Sequence, residues 1–291
     1  MGPFIEGYWG EKYCLLFIDE MSRKAFIKTL KSRSEVAAAT LELIKKEQRK
    51  TQASLVYLRN DGAKDYKTKV LQDFLRQEGI SHEVTERYCP QSNGLAERLN
   101  LTIMDKVRCM LIDANLTPKL WPYAAHYAVL IYNNLPHSAL DNHKSPNDAY
   151  GDSSDFSKLY VFGSICYALQ PSKLLHKLEE RSAKGLFLGV DPAGYKVLDL
   201  QSKVAYVART VKVFGGKFLS KEENQIHGLC REEEQTHSSS LDPTPAILED
   251  SRDSSRAQRK KIYCRHHGCK NASTSRARTG RHSHKHPGQR G

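Results

Sequence analysis

The stretch from Tyr88 to Asn100 constrains the fold more than any other part of the sequence. Pro90 and the pair Asn93-Gly94 predict a loop with special backbone angles. Apolar residues then recur at the spacing of one helical face, at Leu99, Ile103, Val107 and Met110. The sequence therefore predicts a polar loop followed by an α-helix, with Glu97 in the first turn of that helix.

Two aspartates precede Glu97 at defined distances. Thirty-five residues separate Asp61 from Glu97, and forty-one separate Asp19 from Asp61. Each aspartate follows a short apolar run, 13–18 or 55–58, which predicts that both stand at the ends of strands. We expect the three carboxylates to converge on one edge of a sheet, which is the arrangement that a pair of Mg²⁺ ions needs.

These motifs resemble the integrase of copia-type retrotransposons. The resemblance covers roughly residues 2 to 215 and is carried by Phe17–Arg23, Leu58–Asp61 and Asn93–Arg98. There are two departures from the family pattern. Gly62-Ala63 stand where the family has Asn-Gly, and Cys89 stands before Pro90 where the family has Thr. Neither departure removes a carboxylate.

The resemblance implies a function in DNA integration. Its reaction would be 3′-end processing of element DNA followed by strand transfer, with two Mg²⁺ (or Mn²⁺) ions as cofactors. Asp19 would bridge both ions, Asp61 would bind one and Glu97 the other. The implied partners are the element ends and the target duplex. The active form is expected to be a homo-oligomer, and the expected location is the nucleus, reached through the cytoplasm.

Hydrophobic patterns divide the chain into three parts. Strand and helix patterns alternate over residues 2–150, where 11–19 and 25–30 predict an antiparallel hairpin. A small β-rich module is predicted over 155–218. Scattered apolar residues predict a disordered tail over 220–291. Together with the resemblance, this gives an α/β fold class: a ribonuclease-H-like mixed sheet flanked by helices, then the module and the tail. The strand-like pieces of the module are 159–169, 184–190 and 197–213.

Positive charge is concentrated in the tail, which is basic from about residue 251. The net charge of the chain is +12, and residues 251–291 hold twelve Lys or Arg against one acidic residue, Asp253. The other 250 residues are therefore close to neutral. No apolar run is long enough to span a membrane, so no membrane partner is expected. DNA binding by the folded part must depend on particular residues rather than on overall charge.

Four residues on or beside the predicted helix are candidates for contacts to DNA phosphates. These nucleic-acid-binding candidates are Asn93, Arg98, Lys106 and Arg108. Asn93 and Arg98 belong to the copia-type motif, whereas a solvated helix face explains Lys106 and Arg108 equally well.

The tail contains a second candidate metal site. Cys264, Cys269, His282 and His286 have the spacing C-x₄-C-x₁₂-H-x₃-H, which lies within the zinc-finger range. The twelve residues 270–281 include no large apolar side chain that could form the small core of a finger. Chance spacing in a His- and Arg-rich tail is therefore the favoured interpretation.

Two other functions stay open from the sequence. One is a non-catalytic, DNA-binding remnant of a transposable element, and the other is a ribonuclease-H-type nuclease. Integrases of the family carry a His₂Cys₂ zinc domain ahead of the core, and this chain begins too close to Asp19 to hold one. We therefore expect the chain to be a fragment of a polyprotein.

Overall fold

The structure, a computed structural model, describes residues 1–61, 63–84, 94–169 and 180–230, together with the backbone of 262–267. Within these residues the chain forms two five-stranded sheets. No helix in the described part is long and apolar enough to cross a membrane.

The first sheet belongs to a mixed α/β region. β1 is buried along almost its whole length because its residues are apolar on both faces. β1 and β2 pair antiparallel, with Phe17 opposite Phe26, so the predicted hairpin is confirmed. The elements of this region in chain order are β1 (Tyr13–Asp19), β2 (Ala25–Leu30), α1 (Val36–Thr51), β3 (Ser54–Asn60), α2 (Lys69–Gln77) and β4 (Ser81–Val84).

A strand from the tail lies in the middle of this sheet. The strand order is β2-β1-β10-β3-β4, where β10 is Ile262–His267. β10 runs parallel to β1 and antiparallel to β3, so β3 runs in the direction opposite to β1. Composition predicted disorder for this stretch. Residues 262–267 form an extended strand instead, which pairs with β1 on one side and with β3 on the other.

Three helices follow the first four strands: α3 (Gly94–Asp113), α4 (Trp121–Asn134) and α5 (Pro146–Tyr150). α3 buries one face, which is the face predicted from the spacing of Leu99, Ile103 and Val107. Ser145 caps α5 through a capping box with Asp148. α3 and α4 therefore form a layer that packs against the sheet and carries Glu97 at its beginning.

The second sheet has the order β8-β7-β6-β5-β9, with antiparallel neighbours throughout. The predicted strand 159–169 begins only at Ile165, because Gly163 turns the chain with φ of 76° beside Ala114. The stretch 197–213, predicted as one strand, contributes to three separate strands. Asp199 ends the first of them, because it accepts hydrogen bonds that close a turn. The strands are β5 (Ile165–Leu169), β6 (Ser182–Asp191), β7 (Gly194–Asp199), β8 (Ala205–Ala208) and β9 (Val211–Val213).

Both parts share one hydrophobic core. Buried residues of β1, α3 and α4 form a continuous cluster with residues of β5, β6 and β7. At the junction, the Tyr127 hydroxyl of α4 donates to the Tyr160 carbonyl at 2.5 Å and its ring packs edge-on against Phe187, with centroids 5.4 Å apart. The module is therefore packed onto the helical layer rather than tethered to it.

The ordered chain extends past the predicted start of the tail at residue 220. α6 (Lys221–Ile226) begins with a capping box between Ser220 and Glu223. Leu229 is fully buried, and its carbonyl accepts a hydrogen bond from the Thr117 amide at 2.8 Å. The boundary at 220 is corrected to about 230, because a capped helix and one buried leucine anchor a stretch whose overall composition is polar.

His126 gives the fold a defined pH dependence. It lies on α4, with Nε2 3.5 Å from Oγ1 of Thr29. Burial, followed by the charges of Lys196 and Lys28, lowers the pKa of His126 to about 4. An unfolded chain takes up this proton below about pH 6.5, so the free energy of unfolding falls between about pH 6.5 and pH 4. We expect the urea midpoint to fall less steeply over this window in His126→Gln, and equal slopes would contradict this assignment.

Candidate metal and nucleic-acid site

Asp19 is the last residue of β1, and only 2% of its surface is exposed. Its Oδ2 accepts hydrogen bonds from the Ser22 amide at 2.8 Å and from the Ser22 hydroxyl at 2.6 Å. Its Oδ1 is buried and has no hydrogen-bond partner in the described part of the chain. A fixed carboxylate with one bare oxygen offers the hard donor that Mg²⁺ prefers, so Asp19 fits a metal ligand in its chemistry.

A partly buried charged network lies beside the turn that follows β1. The ammonium of Lys24 and that of Lys50 both bind Oδ2 of Asp152, the second at 2.6 Å. The Lys24 ammonium also lies 4.4 Å from the ring centroid of Tyr150, whose hydroxyl donates to Glu47 at 3.0 Å. This network joins the β1–β2 turn to α1 and to the end of α5.

The network shifts the pKa values of its members in opposite directions. Burial lowers the pKa of Lys24, and the hydrogen bond to Asp152 offsets this only in part. Burial raises the pKa of Asp152, but hydrogen bonds from Lys24 and Lys50 outweigh it, so that this pKa lies below its usual value. Burial, followed by the Glu47 carboxylate, raises the pKa of Tyr150. Asp152 is therefore ionised and Tyr150 protonated at neutral pH.

Asp61 and Glu97 occupy the positions predicted for them along the chain. Asp61 directly follows β3 and is half-buried, and its Oδ1 accepts a hydrogen bond from the Ala63 amide at 3.3 Å. Glu97 lies in the first turn of α3 and is also half-buried. Among the described residues, no three His, Cys, Asp or Glu side chains lie close enough together to hold a metal ion. The metal-binding roles of Asp19, Asp61 and Glu97 stay predictions.

The sheet topology explains why the two aspartates do not converge. Asp19 and Leu58 lie opposite the same position of β10, 264, and Phe17 and Asn60 both lie opposite position 262. Asp61 therefore lies roughly 10 Å from Asp19 along the strand direction and two strand spacings, roughly 10 Å, across it. The backbone register thus differs from the expected shared sheet edge, because β3 runs opposite to β1 with β10 between them.

The predicted DNA-contacting residues have different environments on α3. Arg98 is exposed and has no carboxylate partner in the described part of the chain. Lys106 is half-buried, and Arg108 is exposed but forms an ion pair with Asp105 at 2.8 Å. An exposed pair of this kind is weak and leaves the arginine available. Asn93 lies outside the described residues.

The predicted zinc set also lies outside the described part. Cys269, His282 and His286 are not described, and only the backbone of Cys264, within β10, is placed. Zinc binding by the tail stays an untested and disfavoured interpretation.

Several residues around the site were not predicted from the sequence. Ser22 could have been found, because a hydroxyl three residues after an aspartate often closes a local turn. Lys24 and Asp152 are far apart in sequence, and no local pattern signals their pairing. Asn100, one turn after Glu97, is 3% exposed, and neither its amide oxygen nor its nitrogen has a partner in the described chain. Helical periodicity does not reveal such a residue.

Comparisons with known proteins agree with this organisation. Residues 164–226 match the model of the retroviral polymerase SH3-like domain. The chain is 32% identical over 213 residues to the retrovirus-related Pol polyprotein from transposon TNT 1-94 of Nicotiana tabacum, a match over 72% of this chain. It is 30% identical over 205 residues to that from transposon RE1 of Arabidopsis thaliana, covering 69% of this chain. The chain spans only 16% and 14% of the length of these two relatives.

Solved structures to which the chain is similar include two from retroviruses. One is a simian T-cell lymphotropic virus intasome in complex with the PP2A regulatory subunit B56 gamma, at 18% identity, 71% coverage of each chain and a TM-score of 0.40. The other is the HTLV-2 integrase catalytic core domain in complex with magnesium, at 17% identity and a TM-score of 0.36. That match covers 46% of this chain and 80% of the other.

Proposed function

We propose that this chain, which corresponds to a region of the Pol polyproteins of copia-type retrotransposons, binds DNA during integration of the element. Its α/β part is integrase-core-like and is followed by an SH3-like module. In this role the partners are the element ends and the target duplex, and the chain works in the nucleus.

The observation that supports DNA binding most directly is the placement of Arg98. Its helix packs against the core through a buried face, while Arg98, the fifth residue of α3, is exposed and has no carboxylate partner in the described chain. Positive partial charge at a helix N-terminus adds to that of the guanidinium. A phosphate of the DNA backbone is the group that such an arrangement attracts.

A second candidate function adds catalysis to binding. In it, Asp19, Asp61 and Glu97 hold two Mg²⁺ ions for 3′-end processing and strand transfer, and the bare Oδ1 of Asp19 favours this candidate. Bound Mg²⁺ would supply activation of the attacking oxygen and stabilisation of the leaving oxygen. The chain's part would be to orient the carboxylates, which Ser22 already does for Asp19.

The strand arrangement favours binding without catalysis. A working two-metal site needs its carboxylates within reach of ions that are roughly 4 Å apart. Asp19 and Asp61 are separated by β10 and by the opposite directions of β1 and β3. DNA binding needs no such convergence, and it is therefore the function that the geometry supports best.

A nicking assay distinguishes the two candidates. The full chain and its Asp61→Asn variant are incubated with a labelled duplex that carries an element end, in Mg²⁺ or Mn²⁺. Asp105→Asn, which changes an exposed aspartate on α3, is the matched control. We expect all three proteins to bind the duplex and none to produce a metal-dependent product. A product formed by the unaltered chain and the control, but not by Asp61→Asn, would establish the catalytic candidate instead.

A further inference from the structure

The SH3-like module carries a group of aromatic and basic side chains on β5, on β9 and in the segment that follows β9. Tyr167 of β5 lies directly opposite Lys212 of β9 in the antiparallel ladder, so both side chains are on one face. Phe214 is two residues beyond Lys212 and therefore on the same side. We call Tyr167, Lys212, Phe214 and Lys217 the aromatic-basic face.

Phe214 contacts each of the other three side chains. The rings of Tyr167 and Phe214 pack edge to face, with centroids 5.8 Å apart. The ammonium groups of Lys212 and Lys217 lie 5.4 Å and 5.8 Å from the Phe214 centroid. Two cations thus lie around one ring pair, at the distance of cation–π contacts.

Neither lysine is neutralised within the described chain. Lys212 and Lys217 form no ion pair with a carboxylate there, whereas nearby Lys184 is paired with Glu223 at 2.8 Å. Tyr167 is 39% exposed and its neighbour along the strand, Leu169, is 55% exposed. The face therefore combines unpaired positive charge with uncovered apolar surface.

Protection of a sheet edge explains only part of this face. A lysine on an edge strand discourages pairing with other strands, and β9 is an edge strand. This accounts for Lys212, but it does not call for an exposed Tyr167 ring packed on a half-buried Phe214 ring, or for a second lysine over the same ring. Aromatic rings can stack on unpaired bases, and neighbouring cations can bind the phosphates that join those bases. Together these groups suit a single strand of nucleic acid.

We propose that the aromatic-basic face binds a single-stranded segment of nucleic acid. Bases stack on Tyr167 and Phe214, while Lys212 and Lys217 move from the Phe214 ring to contact phosphates. The site adds to the proposed DNA binding by α3 but does not depend on it, because its ligand is unpaired bases rather than a duplex backbone.

The test measures the anisotropy of a labelled oligothymidylate and, separately, of a labelled duplex with the full chain. Only the oligothymidylate titration is made at salt high enough to suppress purely electrostatic binding by the basic tail. The double variant Tyr167→Leu/Phe214→Leu keeps apolar bulk but removes both stacking surfaces. We expect it to weaken oligothymidylate binding by about tenfold or more and to leave duplex binding unchanged. Tyr167→Phe, which keeps the ring, should bind like the unaltered chain.

A control variant and a folding check accompany the double variant. Phe156→Leu removes another ring that is 54% exposed and should have no effect. Thermal melting verifies that each variant is folded. Unchanged oligothymidylate affinity in the double variant, or an equal loss on the duplex, would overturn the proposal. Arg98→Ala should weaken duplex binding alone. The proposal for α3 is therefore tested on the duplex, and the proposal for the aromatic-basic face is tested on the oligothymidylate.

Discussion

Replacing Asp152 with alanine should lower the free energy of unfolding by about 3–5 kcal/mol. The side chain of Lys24 is only 8% exposed, and its ammonium binds Asp152 together with that of Lys50. Alanine leaves the Lys24 charge buried without its carboxylate, and a buried charge without a partner is costly. Urea unfolding followed by far-UV circular dichroism measures the change.

The matched control is Asp155→Ala, three residues further along. Asp155 forms an exposed pair with Lys158, so its loss should change stability by less than about 1 kcal/mol. Lys24→Met with Asp152→Ala removes both charges and should recover most of the loss. Equal effects of Asp152→Ala and Asp155→Ala would contradict the role given to the pairing of the buried Lys24 with Asp152.

A second large effect is expected at the junction of the two parts. Phe187 is fully buried and packs against the rings of Tyr127 and Tyr160, with centroids 5.4 Å and 5.6 Å away. Phe187→Ala leaves a cavity in the shared core and should cost about 3–5 kcal/mol. Because the core is continuous, the α/β part and the module should unfold in one transition, both in the unaltered chain and in Phe187→Ala.

Two probes measured in the same urea titration check this. Tryptophan fluorescence reports on Trp9 and Trp121, which lie in the α/β part, while circular dichroism reports on both parts. Phe156→Ala, at a site that is 54% exposed, is the control and should change stability by less than about 0.5 kcal/mol. If fluorescence and circular dichroism gave different unfolding midpoints, the module would be an independently unfolding unit.

Local patterns in the sequence were sufficient to predict the β1–β2 hairpin and the buried face of α3. Alternating and apolar runs fix which side of a strand or helix is buried, so Phe17 and Ile103 could be assigned from neighbouring residues alone. The turn at Gly163 could not be predicted, because the need for glycine comes from the close approach of Ala114 in another element.

Features that depend on long-range pairing could not be predicted either. The position of β10 depends on its pairing with β1 and β3, which are far from it in sequence. The same holds for the pairing of Lys24 with Asp152, which are separated by 128 positions. For this reason the sequence motifs gave the three carboxylates their places along the chain but not their distances in space.

The measurement that tests DNA binding most directly is ultraviolet cross-linking of the full chain to a labelled duplex, followed by mass mapping of the attached peptides. The basic tail alone could retain DNA, so the position of each cross-link is the informative result. We predict cross-linked peptides from the beginning of α3, around Arg98, and their loss in Arg98→Ala. Cross-links confined to residues 251–291 would contradict the account, because the folded part would then take no part in binding.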